Sequence, residues 1–237
     1  MKCTPWILLA LPVLALASAQ DSFSFAKKYK EGDKDAYNYK LSLEGGPGSI
    51  DVMFVFTNLV KKTYDNGDAD IETEVSNMKV LFNGNEMPTP PAQQTSTKRS
   101  QRVNKFGQFV ASDETNSGGG GRMSVNFLQF VGAGIERPLK VGETVNVDYK
   151  DPKDAKRTAK GTVKLDSIAG GLAKVIANLD ITTPEMQSDK PVKLAINATF
   201  DTATTKLEKA DGTASNLPSQ GAVDIKAMQF SLERIKA

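Results

Sequence analysis

The chain has 237 residues, 39% of them hydrophobic, and 30 basic against 28 acidic side chains leave a formal net charge of +2. So small a net charge provides no long-range field that would attract nucleic acid or an anionic membrane surface. The chain contains no histidine. Ser-His-Asp and Cys-His catalysis and histidine-ligated metal sites are therefore excluded.

The first 19 residues have the pattern of a signal peptide. Lys2 precedes an apolar run over residues 6–16, and Ala17, Ser18 and Ala19 place small side chains where a signal peptidase cleaves. The run is shorter than the about 20 residues that a transmembrane helix requires, and no second apolar segment follows. We therefore predict an exported protein, periplasmic or extracellular, whose mature chain lacks a transmembrane segment.

Cysteine usage agrees with export into the bacterial envelope. Cys3 is the only cysteine, and it lies before the apolar run rather than at the predicted cleavage point, where a lipid-anchor cysteine would stand. The mature chain would then contain no thiol, so it could form neither a disulfide nor a thiolate metal site. We predict no cofactor, no metal and a fold held together by its core alone.

Alternation of apolar and polar side chains dominates the sequence. It occurs in residues 37–43, 145–149, 192–200 and 228–232, and it predicts antiparallel strands with one buried face. Residues 52–56 are apolar at every position and predict a central strand covered on both faces. The apolar positions change parity between Ile71 and Phe82, which predicts a β-bulge near Ser76 and Asn77.

Short glycine-containing segments separate these strands. Asn66-Gly67 predicts a hairpin with a type I′ turn, and Asn83-Gly84 and Gly170-Gly171 predict further tight turns. The glycine run at residues 117–121 predicts an exposed loop. Apolar side chains at helical spacing over residues 122–131 predict one short amphipathic helix that ends at the following glycines.

One phrase occurs twice, as KEGDKDAYNY at residues 30–39 and KVGETVNVDY at residues 140–149. Long strands and turns follow each copy in the same order, which favours a duplicated meander, although the phrase could also be turn chemistry that arose twice by chance. We predict a single mainly-β domain over residues 20–237, a curved antiparallel sheet or open β-barrel. Its parts would be half one at 22–116, the loop and helix at 117–134, and half two at 135–237.

Several pieces of the chain together resemble a family of exported, β-rich bacterial envelope proteins that has no assigned activity. These pieces are Gly32-Asp33 with Tyr37, Phe82-Asn83-Gly84, Lys140-Val141-Gly142-Glu143, Gly161-Thr162-Val163 and the closing stretch at residues 228–234. The chain departs from many members of that family in lacking the lipid-anchor cysteine. The expected architecture is also similar to the half-open barrels of periplasmic lipoprotein carriers, which hold acyl chains on a curved sheet.

No group of charged residues indicates catalysis or metal binding. In the densest acidic group, Asp70, Glu72 and Glu74 alternate along a predicted strand, so they would spread over one solvated face instead of converging on a cation. That group is Asp65, Asp68, Asp70, Glu72 and Glu74. Cross-strand pairing with Lys98, Arg99 and Arg102 would fix strand register. The basic run lacks interleaved aromatic residues, so we predict no nucleic-acid partner.

We predict that the protein is not an enzyme. Instead, it would bind a lipid or other hydrophobic small molecule on the curved sheet beneath the short helix. The candidate ligand-binding residues are Tyr37, Tyr39, Phe54, Phe56, Phe127 and Phe130. Two alternatives stay open. The helix could fill the core permanently, which would leave a structural module that contacts an envelope protein through its outer strands. A hydrolase is the third possibility, although the sequence identifies no catalytic residue for it.

Overall fold

The computed structural model of the protein describes residues 21–46, 48–88, 97–112, 127–151, 155–184, 190–217 and 225–236. The strands of the first half are β1 (Ser22–Phe23), β2 (Lys34–Gly45), β3 (Gly48–Thr63), β4 (Ala69–Phe82), β5 (Asn85–Glu86), β6 (Thr97–Val103) and β7 (Phe109–Ser112). The strands of the second half are β8 (Leu139–Lys140), β9 (Thr144–Lys150), β10 (Thr158–Ala169), β11 (Leu172–Thr182), β12 (Val192–Asp201), β13 (Leu207–Ser215) and β14 (Ile225–Ile235).

The protein is mainly β, and its large sheet is antiparallel and not closed into a barrel. Its strand order is β7-β6-β4-β3-β2-β14-β13-β12-β11-β10-β9, with β5 paired to β4. The last strand, β14, lies between β2 and β13 and so joins the two halves. A separate pair of short strands, β1 and β8, completes the described secondary structure. In the part of the chain that the structure describes, no helix is long and apolar enough to cross a membrane.

The predicted bulge in β4 is confirmed. Met53 pairs with Lys79 and Val55 with Ser76, so the single residue Phe54 lies opposite two residues of β4. One of these two, Asn77, has a φ of 55°, in the left-handed region that asparagine tolerates better than most residues. The bulge explains why the apolar positions of this strand change parity. Residues 52–56 form the middle of β3, as predicted, but they are half-buried on both faces rather than fully covered.

The hairpin at Asn66-Gly67 is confirmed, but the predicted type I′ turn is wrong. The N–H of Gly67 donates to the Tyr64 carbonyl at 2.9 Å, and the Tyr64 N–H donates to the Asp68 carbonyl at 3.0 Å. Only Gly67, with a φ of 85°, occupies the left-handed region in this loop. This pattern is a type I turn followed by a glycine bulge, which gives a three-residue loop.

The loop of the first repeated phrase forms three backbone hydrogen bonds. The Gly32 N–H donates to the Val60 carbonyl at 2.9 Å, and the Val60 N–H donates to the Asp33 carbonyl at 2.9 Å. The Asp33 N–H closes the turn on the Lys30 carbonyl at 3.0 Å. Gly32 has a φ of 83°, which explains why glycine occupies this position.

The loop of the second phrase has the same geometry. The Gly142 N–H donates to the Leu165 carbonyl at 2.8 Å, and the Leu165 N–H donates to the Glu143 carbonyl at 3.0 Å. The Glu143 N–H closes the turn on the Lys140 carbonyl at 3.0 Å, and Gly142 has a φ of 82°. The Glu143 carboxylate also accepts the Lys140 N–H at 2.8 Å. The Arg137 guanidinium and this hydrogen bond together lower the pKa of Glu143 to about 2.

The main hydrophobic core lies against the inner face of β2 and β9–β14. Its largest fully buried side chains come from strands of the second half, from β1 and from the segment that precedes β8, and they are Phe23, Leu139, Leu165, Ile181, Ile196, Val131, Val163, Val175 and Val192. That segment approaches the chain after β1 closely. A Cβ on Gly132 would come within 2.9 Å of the Phe25 Cβ, so this close approach requires glycine.

The predicted helix over residues 122–131 is only partly within the described residues, since residues 122–126 lie outside them. Phe127–Phe130 form one turn of 3₁₀ helix rather than an α-helix. Gly132 and Gly134 follow directly, and Gly134 has a φ of 73°, which an α-helix cannot contain. The segment therefore ends after a single turn.

Acidic and basic side chains pair across β4 and β6, as the sequence predicts. Arg102 lies 2.7 Å from Asp70, and Lys98 lies 3.4 Å from Glu72 and 3.8 Å from Glu74. These ion pairs line one face of the two strands, and the hydrogen bond from Arg102 lowers the pKa of Asp70. The prediction is wrong for Arg99, because Arg99 pairs with Thr73 and so belongs to the opposite face.

Candidate functional site: a cavity beneath the strap

Residues 24–29, which we call the strap, run from β1 across the inner face of the sheet. Three rings anchor the strap at its start, with the centroids of Phe23 and Phe200 5.4 Å apart and those of Phe25 and Phe200 6.0 Å apart. Farther along, the Lys27 N–H donates to the Lys105 carbonyl at 2.6 Å. The strap is therefore tied both to β12 and to the turn between β6 and β7.

A cavity of about 190 Å³ lies beneath the strap, bounded by both halves of the sheet. Its apolar lining from the first half consists of Tyr37, Phe56, Val60, Ile71, Val103 and Phe106. Its apolar lining from the second half and the 3₁₀ turn consists of Leu128, Phe200, Leu207 and Leu232. The cavity reaches the surface beside Lys28 and Thr204, which belong to its lining.

The ammonium of Lys27 is the most unusual polar group in this lining. Lys27 Nζ donates to the Thr205 carbonyl at 3.0 Å and lies 5.0 Å from the centre of the Phe200 ring. Among the described residues, no carboxylate forms an ion pair with it. Burial lowers the pKa of Lys27 from 10.5 to about 8, although the nearby Asp35 partly opposes this shift.

The carboxylates nearest to the cavity are already paired with other cations. Lys206 lies 3.3 Å from Asp33 and 3.2 Å from Asp35. Arg234 lies 2.9 Å from Asp35 and 2.6 Å from Glu208. Lys236 also lies 3.7 Å from Glu208. These six groups form one ion-pair network, of which Asp33, Asp35 and Lys206 line the cavity, and Lys27 is not a member of it.

Two tyrosines also line the cavity. The Tyr29 hydroxyl donates to the Asn104 carbonyl at 3.4 Å, whereas the Tyr37 hydroxyl has no hydrogen-bond partner within the described ranges. Burial raises the pKa of both hydroxyls above the ordinary tyrosine value. Both groups therefore remain protonated donors at neutral pH.

The candidate ligand-binding residues from the sequence divide into three groups. Tyr37 and Phe56 line the cavity, with ring centroids 6.4 Å apart. Tyr39 and Phe54 stack on each other at 4.6 Å but lie outside the lining, and burial raises the pKa of Tyr39 to about 12. The side chain of Phe127 lies outside the described residues.

The remaining candidate, Phe130, is 3% exposed and belongs to the packed core. Its neighbour Leu128 is the residue of the 3₁₀ turn that reaches the cavity. Sequence reasoning missed Leu128, and it also missed Lys27 and Phe200. The available signal was the pair Phe23 and Phe25 at the start of the strap, because two alternating phenylalanines place that segment against the core.

No cluster of three or more potential metal ligands occurs among the residues that the structure describes. The acidic group of β4 is spread along the strand and paired with Lys98 and Arg102. The site therefore consists of a cavity that opens to the surface and has a mixed lining. Besides its apolar and aromatic side chains, the lining contains Lys27, Lys28, Lys206, Asp33, Asp35, Asn58, Gln101, Thr204 and Thr205. Such an arrangement suits the binding of a small molecule by shape, apolar contact and a few polar donors.

Comparison with known proteins adds no functional assignment. No family model matches the chain, and no curated protein matches it. Among solved structures, the chain is similar to DynF from the dynemicin biosynthesis pathway of Micromonospora chersina, with 9% identity and a TM-score of 0.23. The match covers 98% of this chain and 92% of DynF. A likeness at this TM-score carries no argument about either protein's fold or function.

Proposed function

We propose that the protein is an exported, non-enzymatic binding protein that holds a small hydrophobic molecule in the cavity beneath the strap. The observation that carries this proposal is the cavity of about 190 Å³ with eleven apolar or aromatic side chains in its lining. The cavity opens to the surface beside Lys28 and Thr204, so a ligand can enter it, and an engineered cavity of about 150 Å³ is large enough for benzene. Export rests on the signal-like pattern of residues 1–19.

The ligand would lie between the two halves of the sheet rather than under a long helix. Tyr37 and Phe56 provide one wall, and Leu207 and Leu232 provide the other. The strap and Leu128 would cover it. Because typical ligand sites occupy about 300–1,000 Å³, the cavity favours a molecule smaller than a phospholipid.

We also propose that the two halves arose by duplication of one meander. Support comes from the equivalent hydrogen bonds and φ angles of the Gly32 and Gly142 loops. The strand order also supports duplication. Across the sheet, β7-β6-β4-β3-β2 is followed, after β14, by β13-β12-β11-β10-β9, so the corresponding strands of both halves follow one another in the same order. A cavity between the halves would then be a consequence of joining two copies through β14.

A cavity-filling variant tests the proposed function. Val60→Phe combined with Val103→Phe adds two rings to the lining, and we expect it to abolish binding while the fold is retained. The measurement is native mass spectrometry of the mature chain, purified from a bacterial periplasm without detergent and then incubated with indole, hexanoate or phenylacetate. We expect one bound molecule on the wild-type chain and none on the filled variant.

The matched control is Leu172→Phe, which enlarges an exposed side chain in the β10–β11 hairpin. We expect it to bind as the wild type does. An unoccupied wild-type chain with every probe, and with no co-purified molecule, would contradict the proposal. That result would favour the alternative, an interaction module whose outer strands contact an envelope protein.

A further inference from the structure

We infer that the molecule held in this cavity is a small monocarboxylate whose carboxylate pairs with the Lys27 ammonium, an inference that rests on the proposed function. The head group lies at Lys27 Nζ, and the apolar body lies between Tyr37, Phe56 and Leu232. The chemical class is therefore a short-chain or aryl-substituted carboxylic acid in its ionised form.

The first support is the balance of charge around the cavity. Asp33, Asp35 and Glu208 each contact Lys206 or Arg234 at 3.3 Å or less. These three acids are therefore occupied by other cations, and Lys27 is left with a neutral carbonyl as its hydrogen-bond acceptor. Lys27 is half-buried and Asp35 is near it, but its ammonium forms no ion pair among the described residues, so an anionic ligand would supply a direct partner.

The second support is the number of hydrogen-bond donors. An ammonium has three donors, and the described structure gives Lys27 one acceptor, the Thr205 carbonyl at 3.0 Å. The Tyr37 hydroxyl lines the same cavity and has no acceptor among the described residues. A carboxylate provides two oxygens with several acceptor positions, so it can use donors that a hydrocarbon or an amine would leave unsatisfied.

The volume of the cavity limits the size of the apolar part of the ligand. Benzene, with six ring atoms, fits a cavity of about 150 Å³, so 190 Å³ accommodates about eight non-hydrogen atoms. Hexanoate is of this size, and the slightly larger phenylacetate would extend into the opening of the cavity. A ligand with two long acyl chains would extend far beyond the lining.

The binding should depend on pH through Lys27. The charged groups that line the cavity with it are Lys28 in the strap, Asp33 and Asp35 before and within β2, and Lys206 before β13. Arg234 in β14 pairs with Asp35 and with Glu208 in β13. Tyr29 and Tyr37 also face the cavity, and burial raises their pKa values, so both remain protonated through pH 9. Lys27 loses its proton near pH 8.

The test compares each acid with its neutral amide, hexanoate with hexanamide and phenylacetate with phenylacetamide, by isothermal titration calorimetry at pH 7 and pH 9. We expect the acid to bind at least about tenfold more tightly than the amide at pH 7. We expect the affinity for the acid to fall about tenfold at pH 9, because most of the Lys27 ammonium is then neutral.

The variant Lys27→Met removes the ammonium and keeps a side chain of similar length. We expect it to bind acid and amide equally, with no change between pH 7 and pH 9. The matched control is Lys62→Met, because Lys62 Nζ also lies 5.0 Å from an aromatic centroid, that of Tyr64, but outside the cavity. This control should retain the preference for the acid and its pH dependence.

These experiments distinguish failure of the carboxylate assignment from failure of the proposed function. Equal binding of acid and amide to the wild type, or an unchanged preference in Lys27→Met, overturns the assignment of the carboxylate and leaves the cavity as a site for a neutral molecule. Binding of neither acid nor amide to the wild type overturns both this inference and the proposed function.

Discussion

Lys27→Met is expected to stabilise the unliganded protein at pH 7 by about 2 kcal/mol. Lowering the pKa of a lysine from 10.5 to about 8 corresponds to a cost of about 3 kcal/mol for keeping the charged form folded. The contact between the ammonium and the Phe200 ring, worth about 1 kcal/mol, offsets part of this cost and is lost in the variant. The measurement is the free energy of unfolding in urea.

The pH dependence gives this prediction a specific sign. Because the folded state lowers the Lys27 pKa, the unfolded chain binds more protons between pH 8 and pH 10.5. The free-energy cost of the Lys27 charge is therefore fully present below pH 8, and it disappears as the pH rises from 8 to 10.5. The difference between Lys27→Met and the wild type should therefore be largest at pH 7 and small at pH 10.5. A variant less stable than the wild type at pH 7 would mean that the ammonium stabilises the folded state.

Gly161→Ala is expected to destabilise the protein by about 4 kcal/mol or more, or to prevent folding. Gly161 has a φ of 148°, and a Cβ at this position would lie 2.0 Å from the carbonyl oxygen of Asn178 in the neighbouring strand β11. Backbone atoms of a paired strand cannot move away without breaking the β10–β11 ladder. The substitution therefore combines a backbone conformation that alanine disfavours with a steric clash.

The control for this substitution is Gly142→Ala. Gly142 also has a positive φ, 82°, but an alanine Cβ at this position would have no neighbouring atom within 4 Å. Only the conformational cost applies there, which is about 1 kcal/mol. Chemical denaturation of both variants separates the two contributions. Equal destabilisation would show that the approach of β11 to Gly161 is not as close as described.

The local features of the fold could be predicted from the sequence because their causes are local. Alternating side chains identified the strands, and the change of parity between Ile71 and Phe82 identified the bulge at Asn77. The position of the turn at Asn66-Gly67 could be predicted from the sequence, but its turn type could not. Asn-Gly is compatible with more than one turn, and the register of β3 and β4 determines which one forms.

The sheet order and the site could not be predicted in the same way. The position of β14 between β2 and β13 depends on contacts between residues far apart in the chain, and no local pattern encodes it. The cavity combines Lys27 with Phe200 and Leu232 for the same reason. The Lys-Lys-Tyr-Lys run that contains Lys27 also has the composition of a solvated segment, although the strap places Lys27 against the core.

In the proposed binding site, Lys27 would oppose the stability of the unliganded protein. An apolar side chain at this position would cost less in the unliganded protein, since it would leave no ammonium among Phe200 and its neighbours. The nearby Phe23 and Phe25 are packed as tightly as other core residues, so the strap is well anchored without it. A charge that costs stability in the unliganded protein is consistent with the proposed role of Lys27, because functional sites commonly trade stability for binding.

The most direct test of ligand binding in the cavity is a methyl NMR titration of the mature chain with hexanoate at pH 7. The result expected is a saturable shift of the methyl signals of Val60, Ile71, Val103, Leu207 and Leu232, which line the cavity. The signals of the exposed Leu172 and Ile235 should not move. Unchanged cavity methyls at saturating hexanoate, or shifts confined to the exposed residues, would contradict the assignment of the cavity as a binding site.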